Sequence, residues 1–374
     1  MRARNVESAA VRGGSQVPKH AQVYAALRRE IQAGRWVRGE RLPSEAELVR
    51  RFGASRITVG RAMRDLQERG LIERRAGSGS YVKSAAAPGG HTFGLLIPDL
   101  GETEIFEAVC QGMMASPLAR EHALIWGSVR DADSSKEERA WQLCHQYIER
   151  QVSGVFFAPL ELSPDKDDVN QRIAQALDDA RVPVVLLDRT VWPYPRRGHH
   201  DLVGIDNRRA GYVVTDHLLR QGARRIAFIA APHTAATIEA REAGYREALF
   251  AWDAPIDRAW SRRIDPEDRA AIREFMNTAR PDAIVCGNDR TAARVMHALL
   301  ALEYRIPGDV RLVGIDDLEY ASLLPVPLTT LRQPTRPIGD AALSAMLDRV
   351  ARRELPARDI LLPCELVVRR SCGA

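Results

Sequence analysis

The chain has 374 residues, 45% of them apolar and 28% charged, which suits two or three folded soluble domains and excludes wholesale disorder. No apolar run approaches the roughly 18 residues of a membrane span, and the polar opening MRARNVESAA lacks the apolar centre of a secretory signal. Residues 1–83 hold sixteen Arg and two Lys against eight acidic residues, a net +10 on a remainder of net −5. That layout suits a nucleic-acid reader joined to something else, although a membrane-surface or merely solvated basic face gives the same balance.

Residues 1–18 read as a flexible tail. A helix is predicted over 20–33, where Val23, Leu27 and Ile31 form one apolar stripe, and Gly34 stops it. Ser44 opens a second helix, with Glu47 completing an S-x-x-E capping box, and Leu48 and Phe52 face inward. Gly53-Ala54 make the turn. Ser55 caps a third helix with Val59, Met63 and Leu66 on one face, and Gly70 ends it. Strands at 71–75 and 80–83, joined by Ala76-Gly77-Ser78-Gly79, complete a winged helix-turn-helix over 19–83.

A short turn lets the third helix project into a major groove wide enough to admit it. Ser55, Arg56 and Thr58 lead that helix and point away from its apolar stripe. Arg56 has two chemical options there. One is a bidentate contact to guanine, worth on the order of 1–3 kcal/mol of discrimination; the other is a phosphate contact that sets register. Gly77 and Gly79 let the wing backbone approach DNA closely. The competing reading is an amphipathic three-helix bundle with a solvated charged face.

The segments GERLPSE (39–45), SRITV (55–59), GLI (70–72) and GSGSYV (77–82) resemble the GntR family of bacterial repressors. The resemblance implies DNA contacts from Ser44, Glu45, Arg56, Thr58 and Gly77. The expected DNA-facing set is Ser44, Glu45, Ser55, Arg56, Thr58, Arg61, Gly77 and Ser78. Two departures stand out: Ala46 and Gly60 occupy positions where many relatives carry Arg. Arg61 and Arg64 are close in sequence, but a helix turns about 100° per residue, so neither need replace the missing side chain.

Residues 84–91 are small and unpatterned and read as a linker. Apolar strands then alternate with helical stretches: 93–97, 123–126, 154–158, 184–187, 202–205, 225–230, 283–286 and 310–314. Continuous apolar strands between amphipathic helices indicate parallel sheets covered on both faces. The five scattered cysteines, Cys110, Cys144, Cys286, Cys364 and Cys372, include no C-x-x-C and fit a reduced cytoplasmic setting.

Catalytic signatures are scarce. The chain has no G-x-x-x-x-G-K-[ST], H-E-x-x-H or G-x-S-x-G. His199-His200 sit among Pro195, Arg196, Arg197 and Gly198, which reads as a polar loop, so no metal is expected. A pyridoxal-phosphate domain needs a Schiff-base lysine, and beyond the linker only Lys136 and Lys166 remain, both in charged stretches. No cofactor is expected.

Polar residues recur just beyond strand ends, where open α/β sheets bind ligands. Asp99, Asp188-Arg189, Asp206-Asn207, Asn288-Asp289 and Asp316-Asp317 all fall there. Singly, each suits a turn or a helix cap; together they suggest one cleft. The segments VPVVLLDR (182–189), VGIDN (203–207), RxxGY (241–245), GND (287–289), VGIDD (313–317), PLTTLRQP (327–334) and LPCELVVRRS (362–371) resemble the effector domain of LacI/GalR repressors.

That resemblance implies a two-lobed α/β domain of the type I periplasmic-binding-protein kind over 92–374, with three crossovers. The expected lobes are 92–187 with 329–356, and 188–328 with 357–374. It implies that Arg241 clamps the ligand while Asn288 and Asp316 hydrogen-bond it; Asp99 and Arg189 complete the expected ligand set. Phe106, Trp192, Tyr194 and Trp260 are candidate faces for a sugar ring, with core packing as the competing role. Leu100-Gly101-Glu102-Thr103-Glu104 replaces the family's common Asn-Pro-Phe-Phe. A GntR reader on a LacI-type sensor resembles the arabinose-repressor type of regulator. It implies a cytoplasmic homodimeric repressor of double-stranded operator DNA, released by a sugar, not an enzyme and with no membrane partner. A purine corepressor, an α/β enzyme acting on a sugar or nucleotide with a DNA-binding appendage, and a transporter's solute-binding component remain open alternatives.

Overall fold

In the computed structural model the described residues are 19–32, 36, 39–68, 71–75, 78–82, 90–97, 104–127 and 134–374. Gly34, Gly70, Gly77, Asp99 and most of the expected linker lie outside them. The chain divides into two compact units, 1–91 and 92–374. Among the described residues no helix is long and apolar enough to cross a membrane, and all five cysteines are free thiols.

The first unit contains α1 (Lys19–Gln32), α2 (Glu45–Phe52), α3 (Arg56–Glu68), and the antiparallel pair β1 (Ile72–Arg75) and β2 (Gly79–Val82). Val23, Leu27 and Ile31 of α1 pack with Leu48, Val59, Met63 and Leu66 in one core. Ser44 caps α2 reciprocally: its hydroxyl accepts from the Glu47 N–H at 3.3 Å while the Glu47 carboxylate accepts from the Ser44 N–H at 2.7 Å. Gly53 ends α2 at φ 55°, a left-handed conformation that glycine adopts without steric cost. The extended segment before α2 joins the wing, with Leu42 N–H donating to the Ser80 carbonyl and Val82 N–H to that of Glu40.

The second unit begins with β3 (Thr92–Leu96), α4 (Glu104–Ala115), β4 (Ala123–Ile125), α5 (Lys136–Glu149), β5 (Gly154–Phe157), α6 (Lys166–Asp179), β6 (Val184–Leu187) and β7 (Asp201–Ile205). It continues through α7 (Asn207–Arg220), β8 (Ile226–Ala230), α8 (Ala236–Ala251), β9 (Ser261–Arg263), α9 (Arg269–Ala279), β10 (Ala283–Cys286), α10 (Asp289–Ala301), β11 (Arg311–Asp316) and β12 (Thr329–Arg332). Then follow α11 (Thr335–Ala351), β13 (Asp359–Leu362) and β14 (Glu365–Val367). One six-stranded sheet runs β13-β7-β6-β5-β3-β4 and the other β14-β12-β11-β10-β8-β9. Every pairing in them is parallel except β12 with β14.

The expected lobe boundaries need correction. The chain crosses between sheets near 206, 333 and 363 rather than at 188, 329 and 357. Asp188-Arg189 reads as a crossing because polar residues follow a strand, but the 188–200 loop returns to lay β7 beside β6. Buried Asp201 anchors that return through Arg349 at 2.7 Å and Arg358 at 3.1 Å. Thr329–Arg332 pairs with β11, and β13 pairs with β7, so these two strands exchange the lobes expected for them.

Each lobe packs two helices at backbone contact. On α7 and α8, a methyl group at Gly211 would collide with the Arg241 carbonyl, and one at Gly244 with that of Arg208. On α4 and α11, Gly112 meets Arg336 and Gly339 meets Val109 in the same way. The α7–α8 contact matters for function because Arg241 lies within it.

Candidate nucleic-acid interface and ligand cleft

In the first unit, α3 buries Val59, Ala62, Met63 and Leu66, which leaves Arg56, Ile57 and Arg61 exposed on other faces. Ser55 and Thr58 are partly committed locally. Ser55 Oγ accepts from the Thr58 N–H at 3.2 Å and lies 2.8 Å from the Thr58 hydroxyl, so it caps the helix while remaining exposed. Ser44 is likewise engaged in its capping box. Glu45 forms an ion pair with Arg74 on β1, so its carboxylate braces α2 against the wing. Ser78 Oγ lies 2.6 Å from the Tyr81 hydroxyl.

Two features of this surface escape the sequence reading. Ile57 is 86% exposed, an aliphatic side chain set among polar and cationic neighbours. Arg41 lies against Gly79, whose φ of 120° no other residue adopts readily and where a Cβ would sit 2.8 Å from Arg41 Nε. Gly60 has open space where a side chain would begin.

In the second unit, an open cleft lies between the lobes, roughly 590 Å³ when the space continuous with solvent is included. Arg189, Arg241, Asn288 and Asp316 all line it, together with Glu161, Asp188, Thr237 and Arg290. Four of the five expected ligand residues thus converge; Asp99 lies outside the described residues. The positions follow from topology: Asp188-Arg189 leave β6, Asn288 leaves β10 and Asp316 ends β11. These are carboxyl ends of parallel strands, where an open α/β sheet presents its ligand site.

Each nitrogen of Arg241 makes a hydrogen bond within its own lobe, three of its five N–H donors being used. It donates through Nε to Asn207 Oδ1 at 2.9 Å, through Nη1 to the Gly287 carbonyl at 2.7 Å, and through Nη2 to Asp316 Oδ1 at 3.3 Å. Gln333, at a crossover, donates to the same Asp316 oxygen at 2.7 Å. Asn288 caps α10 by accepting from the Thr291 N–H at 2.9 Å and also lines the cleft. Asp206 caps α7, and Asp289 holds Thr330 and the Leu318 N–H at 2.6 and 3.0 Å, fastening loops rather than lining the cleft.

Across the cleft, Arg189 pairs with Glu161 at 2.8 Å and lies 3.5 Å from Asp188. Its guanidinium sits 5.3 Å from the centre of the Phe106 ring. Burial pushes the Glu161 carboxyl up, but Arg189 more than offsets this and holds it below its ordinary value. Asp188 Oδ1 and Arg189 Nε are buried and make no hydrogen bond among the described residues.

Asp316 is different. Burial, aided by Asp289 and Asp188, pushes its carboxyl up to about 7 despite Arg241 and Gln333. Burial likewise raises Asp289 to about 6 against its bonds to Thr330 and Leu318. Asp316 also has φ 135°, a region disfavoured for a residue with a Cβ. Such strain persists only where surrounding bonds over-determine the backbone.

None of the four candidate aromatic residues is among the residues lining the cleft. Phe106 is buried beneath Arg189, Trp192 carries Arg196 at 3.6 Å, Tyr194 is 90% exposed, and Trp260 packs on the second lobe's core. The sequence reading missed Glu161 and Arg290 as cleft residues. Glu161 lies four residues beyond β5 and shares the strand-end signal, but an intervening Ala-Pro-Leu hides it.

Residues 19–82 match the family described as bacterial regulatory proteins of the gntR family, and residues 215–372 match the periplasmic binding protein-like domain. The chain is similar to the arabinose metabolism transcriptional repressor of Geobacillus stearothermophilus, 24% identical over 95% of this chain and 98% of that one. It is also similar to the ribose operon repressor of Escherichia coli K12, 27% identical over 75% of this chain and 82% of the other. Among solved structures, a transcriptional regulator CelR–cellobiose complex is 26% identical, with 85% of this chain and 91% of that one covered and a TM-score of 0.63.

Proposed function

Since the chain joins a GntR-type helix-turn-helix domain to a periplasmic-binding-protein-like domain, we propose that it is a transcriptional repressor whose DNA affinity is set by a small sugar bound between the lobes. The observation that carries this reading is the convergence of Arg189, Asn288, Asp188 and Asp316 on one polar cleft. Carboxylates accept from paired hydroxyls, and guanidinium and amide groups donate to ring and hydroxyl oxygens. Three arginines face three carboxylates in this cleft, a balanced set that suits a neutral polyol better than a strongly charged guest.

In the first unit, Arg56, Thr58 and Arg61 on α3 are the residues we assign to the major groove, with Ser78 on the wing and Arg41 beside it. Ser44, Ser55 and Glu45 contribute mainly by fixing how α2 and α3 are held. Two copies act on a two-fold operator, as pairing of half-sites by a dimer requires. Sugar binding favours one lobe arrangement, and it shifts the DNA-binding equilibrium only by its differential affinity for the two states.

The test is binding of the purified chain to DNA upstream of its own gene at fixed salt, with and without a panel of pentoses, hexoses and their phosphates. Salt is held because phosphate contacts make affinity steeply dependent on ionic strength. Release by one neutral sugar is the expected result. Tight binding that no sugar alters would remove the sugar reading while keeping the repressor. An Asn288→Ala chain serves better than an Arg241 variant for assigning the cleft. Removing Arg241 would strand buried Asp316 without its cation and damage the fold.

A further inference from the structure

The loop between β6 and β7 carries two adjacent histidines that the effector cleft does not use. The acidic residue next to them in sequence, Asp201, is held by Arg349 and Arg358. The fold supplies a third partner from the last turn of α6: Asp178 Oδ2 lies 2.9 Å from His199 Nε2, and Asp178 Oδ1 lies 3.0 Å from His200 Nε2. Ligand atoms of all three lie within 4.8 Å of one another. We propose that Asp178, His199 and His200 bind a divalent transition-metal ion of the zinc class.

The donor set decides the class. Two imidazole nitrogens and one carboxylate oxygen suit zinc, nickel, copper or cobalt, whereas magnesium and calcium prefer all-oxygen shells. Donors about 2.0–2.1 Å from a tetrahedral ion stand roughly 3.3 Å apart, so the hydrogen-bonded pairs at 2.9 and 3.0 Å must part slightly while the wider separations, within 4.8 Å, close. His199 is largely exposed while His200 is buried, so the outer ring can swing in and the inner one is already held. The exposure of His199 leaves the outer side of the site open to solvent for a fourth, water ligand.

The nearest cation in sequence does not compete. Arg197 is turned toward the His200 carbonyl at 3.1 Å and toward Asp359 at 2.7 Å, and Asp359 offsets its charge. Each ring binds an ion through an unprotonated Nε2, whose lone pair then replaces the present hydrogen bond to Asp178. The Asp178 carboxylate, which now faces both rings, supplies the negative charge.

Affinity follows from what surrounds the ligands. His200 Nδ1 is buried and makes no hydrogen bond among the described residues, so no carbonyl orients the ring once that nitrogen is protonated. A missing partner of this kind typically costs 10–100-fold, which places the expected affinity nearer micromolar than nanomolar. A bound ion would tie the 188–200 loop to α6, and that loop begins with Asp188-Arg189 of the cleft.

The experiment uses the full chain stripped with EDTA and titrated with Co²⁺ and Zn²⁺ alone. One Co²⁺ per chain, with the visible absorption of a nitrogen–oxygen site and displacement by Zn²⁺, is expected. His199→Ala, in an exposed side chain that cannot unfold the lobe, and Asp178→Asn should each weaken binding at least tenfold while the stripped proteins melt as wild type does. Absence of stoichiometric binding would overturn the proposal. So would binding unchanged in both variants, or a thiolate-to-cobalt charge-transfer band pointing to one of the cysteines.

Discussion

Asp316 carries three burdens at once: a backbone at φ 135°, a hydrogen bond from Arg241 and another from Gln333. Its raised titration makes it the residue through which pH reaches the cleft. A carboxyl whose folded value is raised from 3.8 to about 7 binds its proton more tightly in the native state. Its contribution to stability is therefore fully present below about 4 and lost as pH rises through 7. Sugar binding has the opposite sign, because an ionised Asp316 accepts hydroxyl hydrogens better than a neutral one. Affinity for the releasing sugar should rise from pH 5.5 to 8 and flatten above, while Asp316→Asn binds weakly at every pH; calorimetric titrations across that range check both. The pair with Asp289 titrates as a unit, so the curve belongs to the two together. At Ile57 the argument concerns a missing cover. An aliphatic side chain at the start of α3, flanked by Arg56 and Thr58, fits the thymine C5-methyl in a major groove. Burying one methyl against it is worth about 1 kcal/mol, roughly fivefold in affinity. Scanning a selected operator with deoxyuridine should reveal one sensitive thymine for wild type and none for Ile57→Ala. Equal sensitivity in both chains would place Ile57 off the bases.

Helix pairing at glycine explains why α8 can aim Arg241 so closely. With Gly244 against Arg208 and Gly211 against Arg241, the two helix backbones touch, and Arg241 reaches Asn207 at the start of α7 and Gly287 before α10. Gly244→Ala should cost about 1–3 kcal/mol through overpacking. In denaturant melts followed unit by unit, the second unit's transition should fall while the first unit's stays, and sugar response should weaken with it. A shift of both transitions together would show that the units do not melt separately. At this scale the sequence was most legible where periodicity is strong. The buried strands β3, β5, β6, β8 and β10 stand within one residue of the predicted positions at each end, because each is an unbroken apolar run. The capping box at Ser44 and Glu47 was equally plain, since its chemistry is local. Strands β9, β13 and β14 were hidden because each is a short edge strand carrying charge, unlike the apolar edge strand β4, and β12 because its TTLR mixes polarity. Lobe assignment failed for a related reason: Asp201 is a charged residue beginning a central strand, and only Arg349 and Arg358, some 150 residues away, make that burial possible. The cleft residues were legible through the polar positions after strands, whereas Asp178, twenty-one residues before His199, had no signal linking it to that histidine pair.

For the whole molecule, the reading requires that the cleft and the DNA surface be coupled, although they belong to separate compact units. Within the second unit, the cleft residues are tied to the three crossings near 206, 333 and 363. Gln333, at one of them, holds Asp316, and Asn207, just after another, holds Arg241. A sugar that rearranges Asp316 and Arg241 therefore acts on the segments that join the lobes. Coupling of this kind is reciprocal: if the sugar weakens operator binding by some factor, the operator must weaken sugar binding by the same factor. Typical couplings are about 5–150-fold. Sugar affinity measured with and without saturating operator duplex, and operator affinity with and without saturating sugar, should give one number at matched salt. A sugar that releases DNA while its own affinity ignores the operator would break the two-state description. Release would then have to come from something other than differential binding, such as turnover of the sugar, and a product search in the same mixture would distinguish that case.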